Sequence, residues 1–158
     1  MKKVFFLENK SAIIGKEKMR KEINKGMLTV YIAPSCTSCK KAKSWFEYHN
    51  IPYKEHNIIS NPLTPEEILD ILRKCDGGVE DLLSSRNRFV KDMEVNFEEL
   101  PLSEAIKIIS EHPQILRRPI ITDEKRLHVG YNEEEIRTFL PRTVRVLEKN
   151  EARLRGAM

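Results

Sequence analysis

Two cysteines, Cys36 and Cys39, lie two residues apart in APSCTSCKKAKSW, residues 33–45. They follow an apolar run and directly precede a lysine-rich helical pattern. This spacing is typical of a redox dithiol, although the same residues could ligate a metal or pack in a core. A zinc site requires about four ligands, and the sequence offers no second Cys-x-x-Cys and no His-x-x-x-His. A redox pair is therefore favoured over packing and over zinc.

The elements that must position these cysteines alternate between strand and helix. Residues 27–33, MLTVYIA, predict a buried strand that ends at Pro34. A helix is predicted from Cys39 onward and a second strand over 53–59. In NPLTPEEILDILRKC, Thr64 predicts the cap of a second helix, which we expect to end at residues 76–78, Asp-Gly-Gly.

The remaining chain predicts shorter elements. Helical stretches are expected near 79–83 and 102–110, and residues 119–131 predict a hairpin with its turn at 123–125. Asn132 then caps a short helix that ends before Pro141, and the charged residues 142–158 are expected to be frayed or helical. This order predicts an α/β fold with a mixed sheet flanked by helices.

A Cys-x-x-Cys between the first strand and the first helix of such a fold predicts a thioredoxin-like redox site. Unpaired backbone N–H groups at a helix N-terminus favour a thiolate, and Lys40, Lys41 and Lys43 add positive charge. We therefore expect Cys36 to be the reactive sulfur. Cys39, in the first helical turn, is expected to resolve an oxidised Cys36 to a disulfide.

Other candidate residues are less specific. Cys75 lies among apolar neighbours and is interpreted as a core residue, and the four histidines are scattered along the chain. A proline that enters a strand as Pro119 does is often cis in thioredoxin-like folds and lies against the redox loop. Arg118 could therefore bring a guanidinium close to the cysteines, whereas Arg117 and Arg118 could equally be a solvated pair at a strand edge.

Composition restricts the class of protein. The 158 residues suit one domain, and 40% hydrophobic residues without a long apolar run exclude a membrane protein. Three cysteines and an opening apolar run of only Val4 to Leu7 indicate a cytoplasmic protein. Residues 1–26 carry a net charge of +5 and the remainder −1, so the body lacks the concentrated basic footprint of a stand-alone DNA-binding protein.

From Met27 to about Glu151 the chain resembles the Spx family of redox-responsive transcription regulators, which are relatives of the arsenate reductases. The segments that carry the resemblance are SCTSCKKAKSW, NPLTPEEILDILR, DGG, SEHPQILRRPIITDEKRL and VGYNEEEIRTFLPR. It implies a thioredoxin-like domain over residues 27–141, with a helical insertion at about 64–113 and a charged tail over 142–158. No cofactor is implied.

The resemblance also implies how such a protein acts. It implies binding to the C-terminal domain of the RNA polymerase alpha subunit, with Gly78 at the contact and Arg73 as a further candidate for this surface. The Cys36–Cys39 disulfide would increase transcription of thiol-homeostasis genes, and Arg118 would support the redox-dependent conformation. Promoter DNA would be contacted only within the polymerase complex, through a modest basic edge that includes Arg142 and Arg145.

Three further expectations concern departures from the family. Arsenate reductases carry an arginine four residues after the nucleophilic cysteine, where this chain has Lys40, which lacks the planar fork that holds an oxyanion. A thiol-dependent reductase of arsenate or disulfides is therefore the alternative to a non-enzymatic switch. The ending RLRGAM approximates a signal for the ClpXP protease and its adaptor, and residues 1–26 are either a basic extension or an upstream start assignment.

Overall fold

The computed structural model describes residues 27–157, so the expectations for residues 1–26 lie outside the described residues. The first strand, β1 (Leu28–Ile32), is followed by α1 (Thr37–Tyr48) and by the parallel strand β2 (Tyr53–Asn57). The next helices are α2 (Pro65–Leu72), α3 (Arg88–Asp92) and α4 (Leu102–Glu111), with a 3-10 helix at Gly78–Leu82 and another at Pro113–Ile115. They lie between β2 and the hairpin.

The hairpin consists of β3 (Ile120–Thr122) and β4 (Leu127–Val129), as the sequence predicts. A 3-10 helix (Glu135–Phe139) and the terminal helix α5 (Arg142–Gly156) complete the described chain. The four strands form one mixed sheet in the order β2-β1-β3-β4, in which β3 runs antiparallel to β1. The predicted fold class, a mixed sheet flanked by helices, is confirmed.

Alternation along β1 divides the core between the two faces of the sheet. Val30 and Ile32 pack with α1, whereas Tyr31 packs with the helices that lie between β2 and β3. On the α1 face the buried partners include Cys39, Ala42, Phe46, Ile121, Ile136 and Phe139. The loop that carries Cys36 therefore follows a strand that is buried on both sides.

The second helix ends earlier than its sequence predicts. Its capping box is present, because Thr64 Oγ1 accepts the Glu67 N–H at 3.2 Å and the Glu67 carboxylate accepts the Thr64 N–H at 2.9 Å. The helix nevertheless ends at Leu72 instead of residues 76–78. The residues that follow form i→i+3 backbone hydrogen bonds instead of helical ones; for example, the Cys75 N–H donates to Leu72 O at 3.1 Å.

Two other predictions required adjustment. The second strand ends at Asn57 instead of Ile59, because the Asn57 side chain accepts the Ile59 N–H at 3.0 Å and starts a turn. The helix expected at 79–83 is a 3-10 helix, and the short helix α3 was not predicted. Within residues 27–157, no helix has the length and apolarity needed to cross a membrane.

Candidate functional site

Cys36 occupies the N-cap of α1, directly after the turn at Pro34 and Ser35. Ser35 adopts φ +59°, which turns the chain sharply between the buried strand and the helix. The Cys36 Sγ accepts the Cys39 N–H at 3.3 Å. The half-buried sulfur therefore lies at the positive end of the helix dipole, as the sequence predicts.

Cys39 has a different environment although it lies one helical turn away. Its side chain is packed in the core against β1 and is only 2% exposed. Burial raises the pKa of the Cys39 thiol to about 12, and the neighbouring Cys36 adds to this, whereas Arg118 opposes it. The two sulfurs are free thiols, so the pair combines one accessible thiol with one buried, protonated thiol.

A pocket of about 520 Å³ opens beside Cys36. Its charged lining consists of the three guanidinium groups of Arg86, Arg117 and Arg118, and hydroxyl groups come from Ser84 and Ser85 among others. The Arg118–Pro119 peptide bond is cis. Arg118 lies beside the redox loop, because it lines the same pocket as Cys36. Its role in a switch stays a prediction.

The positive charge near Cys36 comes from different residues than expected. Lys43 forms an ion pair with Glu55 of β2 at 2.7 Å, which compensates its charge. Lys40 and Lys41 border a separate pocket near Trp45 and α5. The arginines supplied by distant loops provide the cations of the Cys36 pocket.

Sequence reasoning missed Arg86 and the role of Arg117. The loop that carries Arg86 comes close because the Ser84 N–H donates to Ile115 O at 2.8 Å and the Arg117 N–H donates to Leu82 O at 2.7 Å. Gly130 then lets Arg117 lie across the backbone of the hairpin end, since a Cβ there would be 2.8 Å from Arg117 Nε. These tertiary contacts have no local sequence signal.

The two residues expected at a partner surface lie outside this pocket. Gly78 begins the 3-10 helix with φ +78°, and a Cβ built on it would meet no atom within 4 Å. Arg73 caps the end of α2 and is exposed. Another pocket, of about 420 Å³ and called the second pocket below, extends from Asp76 and Asp81 to Arg117. It therefore lies between the residues around Gly78, called the Gly78 segment, and the Cys36 pocket.

Cys75 and His128 also line this second pocket. Cys75 packs against the core, its Sγ lies 3.6 Å from Ile71 O, and burial raises the pKa of its thiol to about 11, in agreement with its interpretation as a core residue. His128 Nδ1 lies 3.2 Å from Glu135, and burial lowers the His128 pKa. Among residues 27–157, no group of three His, Cys, Asp or Glu side chains is arranged to hold a metal.

The sheet, with its cysteine pair at the first strand-to-helix turn, places the chain in the class of thioredoxin-like folds. The ArsC family model matches residues 31–139. The chain belongs to the ArsC family. An arsenate reductase from Vibrio cholerae has the same fold, with a TM-score of 0.65, 16% identity, and coverage of 73% of this chain and 98% of that one. An ArsC-family-related protein from Bacteroides fragilis gives a TM-score of 0.63 at 22% identity, with coverage of 70% and 95%.

Sequence relatives specify the branch of the family. Global transcriptional regulator Spx 2 of Lactococcus lactis is 70% identical over 132 residues, which cover 84% of this chain and all of that protein. Global transcriptional regulator Spx of Bacillus subtilis is 52% identical over 126 residues, with coverage of 80% and 96%. These names support a role in transcription regulation. Both relatives are named as regulators and not as enzymes, which is consistent with the absence of enzyme activity.

Proposed function

We propose that this protein is a cytoplasmic redox sensor that regulates transcription through RNA polymerase. The proposal of a sensor rests on the Cys36–Cys39 pair. The accessible Cys36 sulfur accepts a hydrogen bond from the backbone N–H of the buried Cys39 at 3.3 Å. Oxidation joins the two sulfurs, and two electrons and two protons pass to the oxidant. Arg118 supports the oxidised conformation from the edge of the same pocket.

The partner we propose is the C-terminal domain of the RNA polymerase alpha subunit. Gly78 supports this proposal because its surroundings are open. Any side chain there would project toward a partner, so that glycine allows the partner to approach the backbone closely. Arg73, exposed at the end of α2, would contribute a cation to the same contact. Promoter DNA would be reached within the complex, where Arg142 and Arg145 at the exposed start of α5 supply a basic edge.

The second pocket provides a physical link between oxidation and binding. Ser85 and Arg117 line both this pocket and the Cys36 pocket, and Asp76, Glu80 and Asp81 line it on the side of Gly78. A shift of the Arg118 loop on disulfide formation would therefore move groups that face the Gly78 segment. This link predicts that oxidation changes the strength or the consequence of polymerase binding.

Binding of the purified protein to the isolated alpha C-terminal domain, measured by calorimetry with reduced and diamide-oxidised samples, tests this proposal. Gly78→Arg is expected to abolish binding. Gly156→Arg is the matched control, since Gly156 also has open surroundings but lies at the end of α5. Melting curves are compared because φ +78° strains any substitution at Gly78. Undetectable binding of the unmodified protein in both states, or equal binding by the two variants, would overturn the proposed partner.

Turnover by the ClpXP protease and its adaptor is the remaining part of the proposal. The helix α5 carries no buried residue, and its last described turn is exposed, as recognition by a protease would require. Replacing the last two residues with aspartates should prolong the lifetime of the protein in a reconstituted degradation assay. An unchanged lifetime would exclude recognition through this end.

A further inference from the structure

A groove of about 870 Å³ lies between α1 and α5 and is called the α1–α5 groove below. Side chains of α1 form one wall. The other wall includes Arg137, from the 3-10 helix at Glu135–Phe139, and Glu148 of α5, which form an ion pair with each other. Because these two charges compensate each other, the lysines of α1 dominate the charge of the groove.

Two of these lysines, Lys40 and Lys41, line the groove as exposed side chains. Within the part of the chain that the structure describes, neither forms an ion pair. Besides the paired Glu148, the described lining includes one carboxylate, that of Glu133. The groove therefore keeps an excess of positive charge, which favours a partner that brings carboxylates.

Positive charge is also concentrated on the two helices that border the groove. α1 carries three lysines and one glutamate, and α5 carries five basic and two acidic residues. The rest of residues 27–158 carries twelve basic and eighteen acidic residues, so the near-neutral total conceals an uneven distribution. Two copies paired through this face would place like charges opposite each other. The charge therefore favours an acidic partner over a second copy of the chain.

Aromatic rings provide a contact surface on the same wall of the groove. Tyr48 is 82% exposed, and the centroid of the His49 ring lies 5.1 Å from that of Tyr48 and 4.3 Å from that of Trp45. Tyrosine and tryptophan are rigid, amphipathic side chains that are enriched among the residues that dominate the binding energy of protein interfaces. A ring as exposed as that of Tyr48 buries little surface in the fold and would bury much more against a partner.

We propose that the α1–α5 groove binds an acidic segment of a partner protein. An aromatic or aliphatic side chain of that segment packs on Trp45 and Tyr48. Its carboxylates pair with Lys40 and Lys41, which lie on the same helix as the two rings. Both contacts therefore come from one rigid element, and the partner is recognised by the combination of negative charge and an apolar anchor.

The composition of the groove favours a polypeptide over a nucleic acid. Carboxylates of Glu133 and Glu148 lie in the lining and would oppose a continuous phosphate backbone. A polypeptide can place a neutral or basic residue at these positions while its acidic residues face α1. The proposal is separate from the proposed contact with RNA polymerase, because neither Gly78 nor Arg73 lines the groove.

The test uses Trp45, the sole tryptophan of the chain, as the reporter of binding. Peptides are selected from a random phage-displayed library on the immobilised full-length protein, and the most enriched sequence is synthesised and titrated against Trp45 fluorescence. We expect Asp and Glu to be enriched around an aromatic residue or leucine, with a saturable change in fluorescence. Lys40→Gln combined with Lys41→Gln should raise the Kd roughly three- to tenfold, and Tyr48→Ala should raise it roughly fivefold or more.

Lys125→Gln is the matched control, because it removes an exposed lysine of the hairpin turn that lies outside the groove. It should leave the Kd unchanged, and arginine at both Lys40 and Lys41 should retain binding because the charges are kept. The substituted side chains are all exposed, so the melting curves of the variants should coincide. Selected peptides without acidic residues, or a Kd that the two glutamine substitutions leave unchanged, would overturn the proposal.

Two other occupants are examined with the same variants. A single-stranded or duplex oligonucleotide that binds more tightly than the peptide, and that is lost with the two glutamine substitutions, would assign the groove to nucleic acid. A dimer in sedimentation experiments that these substitutions dissociate would assign it to a second copy. Either result would overturn the proposal. Binding of the alpha C-terminal domain is measured in parallel and should be unchanged, so that failure of the polymerase contact and failure of the groove are distinguished.

Discussion

The backbone N–H of Cys39 donates a hydrogen bond to the Cys36 sulfur at 3.3 Å, yet the two side chains lie in different environments. Cys36 is half-buried at the edge of a polar pocket, and Cys39 is packed under it in the core. The helical turn that joins them places the two sulfurs within reach of each other. In the proposed switch, Cys36 would therefore meet the oxidant and Cys39 would complete the disulfide.

Selective alkylation tests this division. Iodoacetamide should modify Cys36 first, and Cys39 at least about 100-fold more slowly, because a buried thiol with a pKa of about 12 offers little thiolate. Peptide mass spectrometry after timed quenching measures both rates. Cys75 is an internal reference, since burial raises its thiol pKa to about 11. Equal modification of Cys36 and Cys39 would contradict the assignment.

The closure of the disulfide should depend strongly on pH. An aromatic disulfide such as dithiobis-nitrobenzoate releases one coloured thiolate when Cys36 is attacked and a second when Cys39 closes the ring. Because the Cys39 pKa of about 12 is far above neutrality, the second phase should accelerate about tenfold per pH unit between pH 6.5 and 8.5. On a Cys75→Ser background, Cys39→Ser should show the first phase alone. A second phase that does not change with pH would show that the Cys39 proton does not limit closure.

The start of α2 provides a stability prediction. Thr64→Ala removes the hydroxyl that accepts the Glu67 N–H and should lower the free energy of unfolding by about 1 kcal/mol. Thr64→Ser keeps the acceptor and should retain most of the stability. Urea denaturation of the three proteins measures the difference. If alanine and serine destabilise equally, the methyl group of Thr64, and not its cap, is responsible.

His128 predicts a dependence of stability on mildly acidic pH. Burial lowers its pKa below the ordinary value of 6.5, while Glu135 partly opposes this and Arg117 adds to it. The unfolded chain therefore binds a proton more readily than the folded one, so stability is complete above about pH 6.5 and falls as the pH drops toward the folded pKa. The melting temperature should decrease between pH 7 and 5.5, and His128→Gln should flatten this decrease. An identical profile for both proteins would exclude His128 as the cause.

Local chemistry explains why the elements around the cysteines were predictable. The apolar run of β1, the capping box at Thr64 and the hairpin at 119–131 each depend on residues close together in sequence. Cys36 and Cys39 are three residues apart, so their geometry follows from the helix itself. The predicted end of α2 was wrong because Gly78 was interpreted as the residue that terminates the helix. Gly78 does adopt the left-handed conformation, but there it begins the following 3-10 helix.

The pocket, in contrast, was only partly predictable. Arg118 could be inferred from the proline that follows it, but Arg86 lines the Cys36 pocket because the loop at Leu83 pairs with Leu116. Gly130, which makes room for Arg117, lies in a different strand-end segment. Contacts between residues more than ten positions apart depend on the whole fold, and no periodicity or spacing of residues records them.

The most direct test of the proposed switch is transcription by purified RNA polymerase from a thiol-homeostasis promoter, with the disulfide content of the protein measured in the same sample. We expect more transcript with the Cys36–Cys39 disulfide than with the reduced protein, and no oxidant response for Cys36→Ala. Equal transcript from fully reduced and fully oxidised protein would contradict it.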